Sequence, residues 1–353
     1  MPHGFLVDMY ELKVLDLFCG AGGFSEGFSN GGFIVEKAVD SWKPAVATYA
    51  LNHPETKVIQ ADARYVNPND IGKFDVVIGG PPCNEFSYSN RGGGGKIKRG
   101  LELVATFLNF VAIIKPRYWL MENVPRILSL MTDEVNLEEY GLDGGVISIP
   151  KRIQVNSADF GVPQTRMRAI IGDFILPART HSRDGGTDIL TGDKLNRWNH
   201  LGKVIDALPN PLQIAPSRIV SDPNYPDIRC PSHELMDHFY DSMITVEEAW
   251  TNRMKKENHP WCGKMKFPDS ITRPSRTMTA LQVRTSRETI VLYDQHSTSK
   301  YRLPTVREYA CLQTFPLSYR FTGGLNAKIK MIGNALPPLL SRAFANEIQR
   351  HSD

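Results

Sequence analysis

The chain has 353 residues, of which 41% are hydrophobic and 22% charged, and its formal net charge is +3. This composition is typical of a soluble globular protein, and the length favours one large domain with a smaller one. Because it has neither a run of about 18 apolar residues nor a basic-then-apolar leader, the sequence predicts no transmembrane helix and no secretory signal. Its five scattered cysteines do not suggest a disulfide framework, so we expect a cytoplasmic protein.

The charges are unevenly distributed along the chain. Residues 1–90 hold six basic against eleven acidic side chains, whereas residues 264–308 hold nine basic against four acidic ones. Residues 91–100, RGGGGKIKRG, add four basic side chains and no acidic one. Locally basic segments are typical of proteins that bind a polyanion on one face, although ordinary solvated faces explain the same pattern.

Short apolar segments alternate with helical patterns in the first half of the chain. We predict strands at residues 13–18, 33–40, 57–62, 74–80, 117–124, 152–160 and 168–176. Helices are predicted from residue 24, at 43–52 and at 101–115. Strands separated by helices predict an α/β fold whose parallel sheet is covered on both faces.

The alternation ends near residue 177. Residues 178–270 are rich in Pro, Asn, Asp, His and Trp, and we interpret them as the variable core of a second, smaller and irregular domain. Helical patterns return at 305–315 and 337–350, and we expect the last helix to pack on the N-terminal sheet. The predicted division is 1–177 plus 326–353 for the larger domain and 178–325 for the smaller one.

Residues 16–24, DLFCGAGGF, predict a glycine turn between a strand and a helix. Glycine lets the backbone approach a ligand closely, and the helix N-terminus offers free N–H groups. Asp40 and Asp62 end the next two strands, at the edge where ligands bind in open parallel sheets. A tight turn and an N-cap role for Asp40 are the structural alternatives.

A cysteine, Cys83, follows two prolines in GGPPCNEFS, residues 79–87, at the end of the fourth strand. Glu122 in ENV ends the next strand, and a thiol beside a carboxylate is a plausible pair for covalent catalysis. A buried cysteine and a salt-bridge glutamate are the alternatives. In VPQTRMR, Gln164, Arg166 and Arg168 alternate, so an extended strand points all three the same way.

These motifs, in this order, resemble those of the DNA (cytosine-5) methyltransferases of the compact prokaryotic or phage restriction-modification type. DLFCGAGGF is similar to the family's S-adenosylmethionine loop, GGPPCNEFS to its Pro-Cys nucleophile motif and ENV to its cytosine-binding motif. QTRMR matches its Q-x-R-x-R, and IGNALPP at residues 332–338 matches its closing element. The resemblance extends over nearly the whole chain.

The resemblance implies a Rossmann-like, S-adenosylmethionine-dependent methyltransferase domain joined to a target-recognition domain. It implies Cys83 as the nucleophile on C6 of a flipped-out cytosine, Glu122 at N3 and Arg168 at O2, with Arg166 close by. The implied cofactor pocket is formed by Phe18, Gly20, Ala21, Gly22, Gly23, Asp40, Ser41, Trp42, Asp62, Ala63, Pro82, Asn334 and Ala335. The adenine ring is covered by Ser41 or by Trp42, and the sequence leaves this choice open.

Three features lie outside the family pattern or at its edge. Asn84 and Glu85 follow Cys83, where the family usually has glutamine. Residues 87–100 predict a mobile lid in which Lys96, Lys98 and Arg99 hold phosphates, or else a disordered surface loop. Cys230, His233, His259 and Cys262 have the residue types of a zinc site in an unusual spacing, and either histidine could instead contact DNA.

We therefore expect an enzyme that methylates C5 of cytosine within a specific short sequence of double-stranded DNA. Methylation of tRNA cytosine and catalytically inactive DNA binding are the alternatives. The tRNA enzymes carry a Cys-Phe-Thr element that this sequence lacks, and the intact set of Cys83, Glu122 and Arg168 disfavours inactivity. The expected cofactor is S-adenosylmethionine, with no metal. The expected protein is a monomer that associates with the nucleoid through DNA, and a separately acting restriction endonuclease is the further partner suggested by this type.

Overall fold

A computed structural model describes residues 12–82, 94–213, 217–239, 242–258 and 263–352. Within this part of the chain, no helix combines the length and the apolar character needed to cross a membrane.

The first half of the chain forms the predicted strands and helices nearly at their predicted places, together with two short strands between residues 134 and 148 that were not predicted. The strands are β1 (Lys13–Leu17), β2 (Ile34–Asp40), β3 (Lys57–Gln60), β4 (Val76–Gly79), β5 (Tyr118–Asn123), β6 (Glu134–Asn136), β7 (Val146–Ser148), β8 (Lys151–Asn156) and β9 (Met167–Asp173). The helices are α1 (Gly23–Ser29), α2 (Lys43–Asn52) and α3 (Gly94–Ile114). Pro44 lies in the first turn of α2, where its missing N–H costs no hydrogen bond.

Seven of these strands form one sheet in the order β3-β2-β1-β4-β5-β9-β8. The strands from β3 to β5 are parallel, whereas β9 runs antiparallel to both β5 and β8. The prediction of a parallel sheet is therefore wrong at this edge. The reason is local, because β8 leads into β9 through a 3-10 turn (Ser157–Phe160) and a short loop rather than through a crossover helix.

The second half is made of short elements. They are β10 (His181–Ser182), β11 (Gly186–Thr187), β12 (Lys194–Arg197), α4 (Leu201–Ile205), β13 (Ile219–Ser221), β14 (Arg229–Pro231), α5 (Val246–Glu257), β15 (Leu292–Tyr293), β16 (Tyr301–Arg302), α6 (Val306–Leu312), α7 (Leu325–Asn334) and α8 (Pro338–Arg350). Helices α5 and α6 both begin with a complete capping box, Thr245 with Glu248 and Thr305 with Glu308. The sequence did not predict α7.

Helices cover both faces of the sheet. Phe107 and Leu108 of α3 pack on one face against Leu15 and Val77. On the other face, Phe28 of α1 and Phe344 of α8 are fully buried in a cluster of eighteen buried apolar residues that includes Val14 and Val76. The expectation that the last helix packs on the N-terminal sheet is confirmed. In this three-layer arrangement, the carboxyl ends of the parallel strands β1, β2, β4 and β5 lie along one edge of the sheet.

Residues 305–325 join the two parts of the chain. Tyr309, Phe315 and Tyr319 share one apolar cluster with Ala21 of the first half and Leu201 of the second. The side chains of Thr48 and Thr322 also approach within 2.8 Å of each other. This segment, which the sequence-based division gives to the smaller domain, therefore has extensive contacts with the larger one.

Two of the nine basic side chains at residues 264–308 are buried and paired inside the protein. Arg302 is buried and pairs with Asp294 at 2.8 Å and with Glu308 at 2.7 Å. Arg307 is buried and pairs with Asp237 at 2.8 Å. These buried guanidinium groups stabilise the packing of α6 and are not available to bind a polyanion.

Candidate active site

The glycine turn after β1 is held in one conformation by backbone contacts. Gly22 has a φ of 88°, which favours glycine, and its N–H donates to the Cys19 carbonyl oxygen at 2.9 Å. At Gly23, a Cβ atom would lie 2.4 Å from the Leu336 carbonyl oxygen. The turn therefore needs glycine for its φ at the first position and for close packing at the second.

Asp40, at the end of β2, is hydrogen-bonded to this turn. Its Oδ2 accepts from the Gly20 N–H at 2.9 Å and its Oδ1 accepts from the Trp42 N–H at 2.7 Å. Burial raises the pKa of Asp40, and these N–H donors and Lys330 oppose the rise. Each oxygen still has a lone pair free for a ligand hydroxyl.

The turn and the strand ends surround a cavity of about 510 Å³. Twelve of the thirteen residues that the sequence analysis assigns to a cofactor line it, and Gly22 belongs to the same turn. The lining residues also include several that the sequence analysis did not assign to the cofactor, among them Asp16, Cys19, Phe24, Arg64, Arg99, Leu103, Lys330 and Met331. The predicted cofactor residues therefore lie around one pocket, and Glu122 reaches its wall.

Trp42 and Ser41 differ in their surroundings. The ammonium of Lys330 on α7 lies 4.5 Å from the centroid of the Trp42 ring, a cation–π distance, and Trp42 is half-buried. Ser41 lines the same cavity but is exposed. Because Lys330 orients the indole, Trp42 is the better placed of the two to present a flat apolar face to a ligand.

Asp62 also lies on the cavity wall but has a strong partner. Nη2 of Arg64 donates to its Oδ2 at 2.6 Å, and Nε of Arg64 approaches both of its oxygens. These hydrogen bonds lower the pKa of Asp62. Asp62 is therefore held as a carboxylate at the rim of the cavity.

Glu122 and Arg168 form an ion pair between adjacent strands. Oε1 of Glu122 lies 2.7 Å from Nε of Arg168, and both side chains are about one-tenth exposed. Glu122 is opposite Ile170 in the β5–β9 pairing, so strand register brings Arg168 within reach. The sheet thus fixes a carboxylate and a guanidinium at the same edge as the glycine turn.

The Pro-Pro turn after β4 is anchored beside this pair. The side-chain amide of Asn123 donates to the Pro81 carbonyl oxygen at 3.1 Å, and the Gly80 N–H donates to the Leu17 carbonyl oxygen at 3.3 Å. A Cβ atom at Gly80 would lie 3.4 Å from Oε2 of Glu122. Cys83, Asn84 and Glu85 lie outside the described residues. The described chain therefore reaches Pro82 from an anchored turn next to Glu122.

Arg166 is buried, and its guanidinium is directed at backbone carbonyls. It donates to the carbonyl oxygens of Gly333 at 2.8 Å, Ala335 at 3.1 Å and Met278 at 3.3 Å. Gly333 precedes Asn334, which ends α7 and lines the cavity, and Met278 belongs to the irregular half of the chain. These contacts favour a positioning role for Arg166, whereas Arg168 faces Glu122.

Gln164, the first residue of the predicted triplet, connects the same parts. Its amide nitrogen donates to Oε1 of Gln313 at 3.1 Å, and its Oε1 accepts from the Met278 N–H at 3.2 Å. Gln313 in turn donates to the Ile332 carbonyl oxygen at 2.8 Å. The two buried amides link the segment just before β9 to the ends of α6 and α7, so Gln164 lies in the scaffold around the site.

Asp16 is the principal site residue that the sequence analysis missed. It is fully buried at the end of β1, lines the cavity, and accepts at Oδ2 from the Ser25 hydroxyl at 2.6 Å. Its Oδ1 has no hydrogen-bond partner among the residues that the structure describes. Burial raises the pKa of Asp16 to about 8. The residue begins the quoted glycine motif, and that position was the only available signal.

The lid and zinc predictions fall partly outside the described residues. Residues 87–93 of the predicted lid are not described, whereas Gly94 to Gly100 begin helix α3, where Lys98 and Arg99 are exposed. His259 and Cys262 are likewise outside. Cys230 is buried and His233 contacts the Ser217 hydroxyl at 2.9 Å. Among the described residues, no group of three or more His, Cys, Asp or Glu side chains is arranged to hold a metal ion.

Comparisons with known proteins agree with this geometry. The family model of C-5 cytosine-specific DNA methylases matches residues 12–350. Type II methyltransferase M1.HphI of Haemophilus parahaemolyticus is 29% identical over 360 residues, which cover 98% of this chain and 88% of the relative. M.DdeI of Desulfomicrobium norvegicum is 28% identical over 381 residues, which cover 96% of this chain and 88% of the relative.

A solved structure of similar fold comes from a protein described as a DNA modification methyltransferase and encoded within a prophage of E. coli. It is 20% identical, covers 96% of this chain and 99% of its own, and has a TM-score of 0.64. The likeness supports the Rossmann-like α/β fold. With the family match over residues 12–350, it follows that the chain belongs to the C-5 cytosine-specific DNA methylases and is a DNA (cytosine-5) methyltransferase.

Proposed function

We propose that the enzyme transfers a methyl group from S-adenosylmethionine to a cytosine flipped out of a specific short duplex DNA sequence, with Cys83 as nucleophile. The observation that carries the proposal is the ion pair between Glu122 and Arg168. It lies beside the Pro81–Pro82 turn that leads to Cys83, and Glu122 reaches the wall of the 510 Å³ cavity. The proposal therefore assigns nucleophile, acid and cofactor to one edge of the sheet.

The residues around the cavity fit this cofactor. Asp40 offers two carboxylate oxygens suited to ribose hydroxyls, and the Trp42 ring offers a flat face suited to adenine. Asp16, with a buried Oδ1 that lacks a partner among the described residues, suits a cationic group at the other end of the molecule. When bound, S-adenosylmethionine supplies an electrophilic methyl group on a sulfonium. Such a group reacts with carbon nucleophiles, and the protein must create one.

Cytosine C5 becomes nucleophilic only after the ring has been activated. The Cys83 thiolate adds to C6, and the electron pair of the C5–C6 bond moves to C5, with charge developing toward N3. Glu122, after taking up a proton from solvent, gives it to N3, and Arg168 neutralises charge at O2. After C5 has taken the methyl group, a base removes the C5 proton. That electron pair restores the C5–C6 double bond and expels the Cys83 thiolate, and the N3 proton returns to the Glu122 carboxylate.

The cysteines that the structure describes are poor alternatives to Cys83 as nucleophiles. Cys19, Cys230 and Cys311 are buried, and burial raises the pKa of each thiol. A raised pKa lowers the fraction of reactive thiolate at neutral pH. Cys83 is the better candidate, because its neighbour Pro82 is exposed at the cavity.

Base flipping explains the position of the basic residues near the start of α3. A stacked cytosine is inaccessible to the thiol, and flipping costs a few kcal/mol that protein–DNA contacts must offset. Lys98 and Arg99 are exposed, and Arg99 lines the cavity. We propose that they bind phosphates next to the flipped nucleotide, as the predicted lid requires.

A covalent trap tests the proposal. Duplex DNA with 5-fluorocytosine at the methylated position is incubated with protein and S-adenosylmethionine, because fluorine blocks removal of the C5 substituent. We expect a denaturation-resistant complex whose adduct maps to Cys83 by mass spectrometry, and none with Cys83→Ala. The Cys83→Ala protein should still bind S-adenosylmethionine. An adduct on another cysteine, or transfer to tRNA in preference to DNA, would refute the proposal.

A further inference from the structure

Two buried side chains, His53 and Tyr319, lie against the cofactor turn and have no part in the chemistry above. His53 follows α2 and Tyr319 follows α6, and both are less than one-tenth exposed. The Tyr319 hydroxyl donates to the Ala21 carbonyl oxygen. Nε2 of His53 lies 3.1 Å from the same hydroxyl oxygen. A hydrogen-bonded chain therefore runs from α2 through Tyr319 to the turn.

The direction of this chain follows from counting hydrogens. A tyrosine hydroxyl carries one hydrogen, and here it is given to the Ala21 carbonyl oxygen. The contact between His53 and Tyr319 must then be donated by Nε2–H of the histidine. Burial lowers the pKa of His53 to about 4, so the ring is neutral at pH 7. The structure thus assigns the Nε2–H tautomer to His53.

The pair also fills the space next to Gly22. A Cβ atom at Gly22 would lie 2.7 Å from the Tyr319 hydroxyl oxygen and 2.8 Å from Nε2 of His53. The Tyr49 ring packs on His53 with centroids 4.7 Å apart, and Phe315 packs on Tyr319 at the same distance. The Tyr49 and Phe315 rings therefore hold His53 and Tyr319 in place against Ala21 and Gly22 of the turn.

We propose that His53 and Tyr319 are positioning residues that hold the peptide between Ala21 and Gly22 and thereby set the affinity for S-adenosylmethionine. The inference rests on the proposed function, because it concerns the same cofactor. Ala21 lines the cavity, so a shift of this peptide changes the wall that the ligand meets. Glu26, whose Oε2 is 3.7 Å from Nε2 of His53, is the charged group nearest to the pair.

The test compares variants at His53 and Tyr319 with a variant at a tyrosine whose hydroxyl hydrogen-bonds outside the cofactor turn. Tyr319→Phe removes only the hydroxyl, and His53→Phe keeps a ring against Tyr49. Tyr225→Phe is the matched control, because the Tyr225 hydroxyl also donates to a carbonyl oxygen, that of Thr314 at 2.8 Å, and Tyr225 does not line the cavity. The dissociation constant for S-adenosylmethionine is measured by calorimetry, and the melting temperature reports folding.

We expect Tyr319→Phe and His53→Phe each to weaken cofactor binding by about 5- to 20-fold, as expected when a buried carbonyl loses its donor or that donor loses its orientation. The KM for cofactor should rise with little change in kcat at saturation. The double variant should bind the cofactor with the affinity of the weaker-binding single variant, because the two residues act as a unit. His53→Gln, which retains an N–H donor, should recover part of the loss.

The outcomes separate this inference from the proposed function. If the unsubstituted protein fails to bind S-adenosylmethionine, the proposed function is wrong. If it binds while Tyr319→Phe and His53→Phe bind within about twofold of it, the inference is overturned, since a lost buried hydrogen bond should cost more. If Tyr319→Phe folds poorly, the cofactor affinities of His53→Phe and His53→Gln are compared instead. Both variants keep the Tyr319 hydrogen bond to Ala21, and only His53→Gln keeps a donor to Tyr319. An equal loss in Tyr225→Phe would also overturn it.

Discussion

Nε of Arg168 lies 2.7 Å from Oε1 of Glu122, between neighbouring antiparallel strands of the main sheet. The distance is set by strand register rather than by a loop, so neither side chain needs to be ordered by a ligand. The pair is partly buried, where an ion pair interacts more strongly than in water. A proton donated by Glu122 to the base would leave a carboxylate that Arg168 already stabilises. The sheet therefore preorganises Glu122 and Arg168 as a pair before any ligand binds.

Glu122→Gln should remove most of the methyl transfer. The amide keeps the shape and one hydrogen bond but cannot give a proton to N3. Because general acid catalysis is typically worth about 10²–10⁴-fold, we expect kcat to fall by that factor. Single-turnover transfer from labelled S-adenosylmethionine measures the chemical step directly.

The control for this change is Glu134→Gln, since Glu134 is exposed on β6 and does not line the cavity. It should leave kcat unchanged. A loss below about fivefold in Glu122→Gln, well short of a general-acid effect, would mean that Glu122 only orients Arg168. Binding of S-adenosylmethionine should be nearly equal in both variants.

Arg166 and Arg168 should respond differently to the same substitution. Arg166→Lys loses the planar fork that serves three carbonyl oxygens, so we expect the free energy of unfolding to fall by roughly 2–4 kcal/mol. Arg168→Lys keeps a charge beside Glu122 and should destabilise less, but it should lower kcat more. Urea unfolding and single-turnover kinetics on both proteins provide the comparison. If Arg166→Lys is fully stable and slow only in chemistry, Arg166 is catalytic.

Asp16 predicts a pH dependence that can be measured without DNA. Its pKa is about 8 in the folded protein against 3.8 as the ordinary value, so the folded ligand-free state holds a proton that the unfolded state releases between these values. The stability contributed by this proton is therefore present below pH 4 and is lost as the pH rises toward 8. Asp16→Asn should remove that part of the dependence.

Cofactor binding should show the opposite trend. If the cationic group of S-adenosylmethionine pairs with ionised Asp16, its affinity should rise by up to about tenfold per pH unit from pH 6 to 7.5, and binding should release a proton. This range lies below the pKa of about 7.7–8.0 expected for the ligand's α-amino group. Calorimetry in buffers of different ionisation enthalpy counts the proton. A flat affinity equal to that of Asp16→Asn would contradict the assignment.

The catalytic half was predictable because its signals are local. Apolar runs that stop at glycine or acidic residues marked β1, β2 and β4, and the quoted motifs brought Asp40 and Glu122 to one edge of the sheet. The contacts of Arg166 and the place of Lys330 depend on segments more than 100 residues apart in sequence. No pattern in a short window carries such information, because tertiary packing decides it.

The last prediction concerns sequence choice, which we assign to the irregular half of the chain. Residues 178–270 carry none of the proposed catalytic residues, and loops on a rigid scaffold are where recognition is usually located. The structure shows why residues 178–270 alone are a poor unit to transplant. Glu248 on α5 pairs with Arg284 at 2.8 Å, and Asp269 pairs with Arg276. A graft should therefore extend through residue 291.

We expect that a related methyltransferase with a different target sequence will methylate the target sequence of this enzyme once it carries residues 178–291. Asn and Arg side chains of this span would read base edges, each worth about 1–3 kcal/mol of discrimination. Bisulfite sequencing of DNA exposed to the hybrid maps the methylated sites. The shorter graft of residues 178–270 is the matched control, and its activity should be lower because it separates Glu248 from Arg284. An active hybrid that keeps the recipient's target would show that sequence choice lies elsewhere.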